Sequence, residues 1–118
     1  MTILVVEDNA DILFAISALL ESEGYKVRSA ENGLVALALV DSHGVPDLIL
    51  LDLMMPVMDG WHFLEAFRKK FKSKAPVVIM SAAAEAEHHA RGLGVNGWIA
   101  KPFVFDEILP LIKTHLGR

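Results

Sequence analysis

The sequence contains no cysteine. That excludes disulfides, thiolate zinc sites and a cysteine nucleophile. No apolar run approaches the roughly 18 residues that a membrane span needs. The opening, Met1 to Asp8, has neither the basic start nor the long apolar stretch of a secretory signal, so a cytoplasmic location is expected. Basic residues are not in excess either. Eleven Lys and Arg stand against 15 Asp and Glu, for a net charge of −4. With no basic stripe, nucleic-acid binding by this chain alone is disfavoured. Internal repeats, low-complexity tracts and interdomain linkers are also missing. What is present is apolar. Hydrophobic residues make up 53% of the 118 positions and charged residues 22%, which argues against disorder. The length fits one domain, taken as residues 1–118, able to bury roughly two-thirds of the surface its unfolded chain exposes.

Two periods alternate along the chain. Short apolar runs at residues 3–6, 25–29, 47–51, 76–80 and 97–100 are apolar on consecutive positions, as strands buried on both faces are. Helical patterns follow at 10–23, 34–41, 61–71, 84–91 and 106–116. Strands alternating with helices predict an α/β fold with a parallel sheet covered on both faces. Right-handed crossovers leave few topologies, and the doubly wound, flavodoxin-like (βα)5 order 2-1-3-4-5 is the common five-strand solution. Gly24 suits the end of the first helix, where a left-handed residue is needed. Asp59 is a candidate N-cap. Pro46 fits the entry to the third strand. Pro110 is tolerable only in the first turn of the last helix.

In an open parallel sheet, ligands bind outside the carboxyl ends of the strands. The first strand delivers Glu7 and Asp8 there, the third Asp52, the fourth Ser81 and the fifth Lys101. The second contributes only the turn Ala30-Glu31-Asn32. Three carboxylates at close quarters repel and raise one another's pKa, a conflict that a divalent cation removes. Oxygen donors that leave room for several waters suit Mg²⁺. Taken singly, Lys101 reads as a surface lysine and Ser81 as a turn residue. Asp52, ending a buried apolar strand, needs a partner.

These residues resemble the receiver domains of two-component response regulators, over essentially the whole chain. The resemblance rests on Glu7-Asp8, on Asp52-Leu-Met-Met-Pro-Val-Met-Asp-Gly60, on Ser81-Ala82 and on Lys101-Pro102-Phe103, each at its expected strand end. It implies that Asp52 accepts a phosphoryl group from a sensor histidine kinase or phosphotransfer protein. By the same resemblance Glu7, Asp8, Asp52 and the backbone carbonyl of Met54 hold Mg²⁺, Lys101 binds a phosphoryl oxygen, and Ser81 donates its hydroxyl once the group is in place. A cis Lys101–Pro102 bond, assistance only to the domain's own phosphorylation and dephosphorylation, and a downstream protein target are implied too. Trp98 stands where the family carries a rotating Tyr or Phe, Val95 where Ala is common, and Met54 and Ala83 where phosphoryl lifetime is tuned. The first helix is the expected docking element for the kinase. Its core face is read as Ile12, Ala15, Ile16, Leu19 and Leu20, with Phe14 nearly opposite. The segment from Ser81 to Trp98 is short, so a small fourth helix is expected. The ending Leu116-Gly117-Arg118 reads as a natural stop, which favours a stand-alone, chemotaxis-regulator-like protein.

Other signals point nowhere useful. Gly92-Leu-Gly94-Val-Asn-Gly97 matches a dinucleotide fingerprint in letters, but it follows a helix and enters a strand, the reverse of what that site requires. His88 and His89, being adjacent, face different sides of a helix and are read as solvated surface. There is no Walker loop. Asp52-Leu53-Met54 lacks the second aspartate of a dehalogenase-type phosphatase, so turnover of external substrates is not expected. Two alternatives stay open. A flavodoxin-like cofactor binder shares the topology, although Glu7-Asp8-Asn9 would repel a flavin phosphate. A receiver-like interaction domain without phosphotransfer is the other.

Overall fold

The computed structural model describes residues 1–82, 85–101 and 105–116. Five strands form one parallel sheet: β1 (Thr2–Val6), β2 (Lys26–Ala30), β3 (Leu48–Asp52), β4 (Val77–Ala82) and β5 (Gly97–Lys101). The helices are α1 (Ala10–Ser22), α2 (Gly33–His43), α3 (Gly60–Phe71), α4 (Ala86–Leu93) and α5 (Ile108–Leu116). The strand order is β2-β1-β3-β4-β5, the flavodoxin-like arrangement expected.

Two apolar layers flank the sheet. On one face Leu4, Val6, Ile49, Leu51 and Ile79 pack with residues of α2, α3 and α4. On the other Ile3, Val5, Leu50, Val78 and Met80 pack with α1 and α5. Strand side chains alternate faces, so a strand can feed both layers only if it is apolar at every position. That explains the unbroken runs in β1, β3 and β4. β2 departs from the expectation of burial on both faces: Lys26 and Ser29 are exposed, and only Ala30 is fully buried. Among the described residues it is an edge strand, paired with β1 alone.

Local chemistry sets the helix starts. Asn9, Asn32 and Asp59 each accept a backbone N–H three residues on, from Ile12, Val35 and His62 at 3.0, 2.9 and 2.9 Å. Asn32 thus gives the turn after β2 a structural role that the sequence did not suggest. Lys72 and Gly94 close α3 and α4 in the left-handed conformation. The last helix is preceded by a 3₁₀ turn at Phe105–Glu107, so Pro110 becomes the third residue of α5. N–H groups in a first turn have no intrahelical partner, so the proline costs no internal bond. Pro102, Phe103, Ala83 and the ending Gly117-Arg118 lie outside the described residues, and with them the cis-bond, lifetime and chain-end expectations. Among the described residues no helix is long and apolar enough to cross a membrane.

Candidate functional site

The two central strands stop side by side. Val6 of β1 is in register with Leu51 of β3, so the next residue of each, Glu7 and Asp52, emerges at the same height. β4 and β5 finish beside them, with Ala82 opposite Lys101. The convergence of Glu7, Asp8, Asp52, Ser81 and Lys101 at one rim therefore follows from strand register. They line an open cleft of about 660 Å³.

Glu7 is fully buried and Asp52 nearly so. One Glu7 oxygen accepts from Lys101 Nζ at 2.8 Å, and the other accepts the backbone N–H of Asn9 at 3.1 Å. Lys101 Nζ also stands 3.3 Å from Asp52 Oδ1, which accepts the backbone N–H of Met54 at the same distance. Asp8 is exposed at the cleft mouth, and one oxygen from each of Glu7, Asp8 and Asp52 lies within 4.8 Å of the others. Buried charges persist only when paired, yet here three carboxylates share one ammonium. Burial pushes the Asp52 carboxyl up to about 7, and the negative charge of Glu7 adds to this against the opposing pull of Lys101. Burial works against the Lys101 ammonium, but its hydrogen bond to Glu7 and the charges of Asp52 and Glu7 prevail and hold it above its ordinary value. Hard oxygen donors carrying surplus negative charge, converging from two loops, are a donor set that fits Mg²⁺.

The remaining predicted residues fall in three places. Ser81 is buried at the end of β4, but its hydroxyl is 2.8 Å from His89 Nδ1. This corrects the reading of His89 as solvated surface. Ala86, His89, Ala90 and Leu93 recur at the i, i+3, i+4, i+7 spacing of an inward stripe, and Ala86 and Ala90 are buried. His89 lies on that stripe, its side chain 20% exposed, its ring edge-on to Trp61 of α3 at 5.2 Å between centroids. The signal was present in the spacing from Ala86 and Ala90. Trp98 pairs with Ile79 in β5, on the same face as Ser81 but 42% exposed. Phe14 projects from α1, 76% exposed, away from buried Ile16 and Leu20. Met54 lines the cleft with its side chain largely outside.

Comparison with known proteins agrees with this geometry. Residues 3–113 match the family model of the response regulator receiver domain. The chain is 34% identical over 120 residues to the transcriptional regulatory protein CusR of Escherichia coli K12, covering 100% of this chain and 52% of CusR. It thus spans about half the length of the curated relatives it matches. Among solved structures, chemotaxis protein CheY4 of Vibrio cholerae superposes with a TM-score of 0.85 at 30% identity, over 97% of each chain. The receiver domain of the Francisella response regulator 1452 gives 0.87 at 30% identity, over 99% of this chain and 97% of that one.

Proposed function

This chain belongs to the response regulator receiver domain family, and from that premise we propose that it is a phosphorylation switch with Asp52 as the acceptor. The observation that carries the proposal is the buried Asp52 carboxylate held beside Glu7, Asp8 and Lys101 at the joined ends of β1 and β3. Glu7, Asp8, Asp52 and the Met54 carbonyl would hold Mg²⁺, which when bound neutralises charge on the transferring phosphoryl group.

The chain's own residues do the rest. An Asp52 oxygen attacks phosphorus as the bond to the donor's imidazole nitrogen breaks, and that nitrogen leaves with the electron pair. Asp52 must be ionised to attack, so the burial and the neighbouring Glu7 that raise its pKa and the ammonium that lowers it set the fraction ready at neutral pH. Lys101, already between Glu7 and Asp52, supplies a cation to a phosphoryl oxygen. Ser81 supplies a hydroxyl proton to another. No turnover of an external substrate is proposed.

The donor is a sensor histidine kinase or phosphotransfer protein. α1 starts at Ala10, directly after the acidic pair, so a helix carrying phosphohistidine that reaches Asp52 passes α1, and exposed Phe14 is the proposed contact. The output is a protein-binding surface of α4, β5 and α5. Trp98 on the Ser81 face of β5 is its proposed switch residue, and a downstream protein is the partner. The flavin alternative loses its ground to the family match, and the intact acidic set favours phosphotransfer over a receiver without chemistry. The test is intact mass after incubation with a small acyl phosphate. A single phosphoryl addition is expected with Mg²⁺ and none with chelator. Labelling indifferent to the cation would overturn the reading.

A further inference from the structure

Among the described residues Ser81 is the only hydroxyl lining the cleft, yet its oxygen is engaged away from the carboxylates, with His89 Nδ1. The imidazole has a neighbour on three sides. Nδ1 meets Ser81, the ring stands edge-on to Trp61, and Nε2 faces the Glu85 carboxylate at 3.8 Å. An ionised carboxylate only accepts, so it favours the tautomer with the proton on Nε2 and leaves Nδ1 as an acceptor. In that tautomer Ser81 is the donor of the 2.8 Å contact. At the far end of α4, the Arg68 guanidinium donates to the Leu93 and Gly94 carbonyls at 2.5 and 3.2 Å, tying that end to α3.

Resting on the reading of Asp52 as phosphoacceptor, we propose that His89 is a positioning residue that latches the Ser81 hydroxyl in the resting state. A hydroxyl has one proton and cannot give it to His89 and to a phosphoryl oxygen together. Phosphorylation therefore competes directly with a side-chain tie between the N-terminal half of α4 and β4. Release of that tie loosens this half, which the Glu85 N–H to Ala82 carbonyl bond still anchors, while Arg68 keeps the other end in place. The latch is thus the link by which an event at Asp52 reaches α4, and it sets the free-energy gap against which the phosphoryl group works. Trp61 holds the imidazole in the orientation that makes the latch, through a contact that a phenyl ring can also make.

The test uses beryllium trifluoride with Mg²⁺ as a stable phosphoryl mimic, titrated into the whole chain. His89→Phe keeps the aromatic contact with Trp61 and removes the acceptor. It should bind the mimic roughly three- to ten-fold more tightly, the range that loss of one neutral hydrogen bond from the resting state allows. In a Ser81→Ala background the same change should have no effect, because the latch is already gone. Equal affinity in both backgrounds, or the same shift in both, overturns the proposal. A second arm needs neither metal nor mimic. The ¹⁵N spectrum of His89 in the resting protein should show an unprotonated Nδ1 that accepts a hydrogen bond, and Ser81→Ala should move that resonance. An unmoved resonance overturns the latch by itself. If the resonance moves but the wild-type chain fails to bind the mimic, the acceptor reading has failed and the gating role falls with it, which separates the two failures.

Discussion

Asp52 holds its proton up to about 7 in the folded protein, against 3.8 for the free side chain, because it is buried beside Glu7. The folded state therefore binds more protons than the unfolded state between those two values, and stability contributed by this group falls as pH rises through that window. At pH 8 without divalent cation the penalty is on the order of 2–4 kcal/mol. Asp52→Asn removes the charge and should melt several degrees above wild type at pH 8, the gap closing toward pH 4; parallel melting curves would contradict this. Mg²⁺ should reverse the order by stabilising wild type more than the variant, and its affinity should rise with pH through about 7. A second residue bears strain rather than charge. Val57, in the loop after β3, has φ of 68° and is 77% exposed. A β-branched residue is disfavoured there, whereas Asn tolerates the left-handed region. Val57→Asn should raise stability by about 1 kcal/mol, measured by urea unfolding. An unchanged midpoint would show that the loop relaxes without help.

The loop after β3 is held by its neighbours as much as by its own residues. The Gly33 N–H donates to the Met58 carbonyl at 2.9 Å, and the Gly60 N–H to the Leu53 carbonyl at 2.9 Å. A Cβ on Gly60 would stand 2.6 Å from the Asp52 carbonyl oxygen and 2.8 Å from Leu53 Cα. Both are backbone atoms of the segment that carries the acceptor. Gly60→Ala should cost about 2 kcal/mol of stability and slow phosphorylation together, because relief of the clash moves Asp52. Full phosphorylation in a destabilised variant would show the strain is taken up elsewhere. Elements of this kind divide sharply in what their sequences disclose. β1, β3 and β4 were legible because burial on both faces leaves an apolar run that ends at the first charged or polar site residue. The same logic located Glu7, Asp52 and Ser81. β2 differs because it is an edge strand, which the expected order 2-1-3-4-5 already implies, and Lys26 and Arg28 flanking Val27 carry the matching signal. The start of α4 was obscure because its alanine run contains no capping side chain, and Glu85 makes no side-chain cap bond. The spacing of His89 from Ala86 and Ala90 carries its inward direction, but with no cap to set the helix start that spacing is easily passed over, and the tie to Ser81 with it.

At the scale of the molecule, the proposed acceptor and the surfaces proposed to serve it lie on different elements joined by one sheet. α1, next to the acids, is the proposed entrance for the donor. Phe14→Ala should slow transfer from the cognate kinase severalfold and leave labelling by a small acyl phosphate unchanged. Loss of both would mean damage to the site, and loss of neither would make Phe14 ordinary surface. α4, β5 and α5 form the proposed exit. Hydrogen exchange with and without beryllium trifluoride should change across α4 and from Trp98 into α5, and changes confined to the loop after Asp52 would contradict that route. The relatives, about twice as long as this chain, include transcriptional regulators, whereas the CheY4 structure matches it end to end. The proposed function rests on which atom accepts the phosphoryl group. The most direct measurement is to phosphorylate the protein in Mg²⁺ and reduce the acyl phosphate with borohydride. Reduction converts the modified aspartate to homoserine, and peptide sequencing by mass spectrometry then finds the converted position. The prediction is homoserine at position 52 alone, absent when the cation is chelated. Conversion at Asp8 or at any other carboxylate, with position 52 still aspartate, would contradict the account.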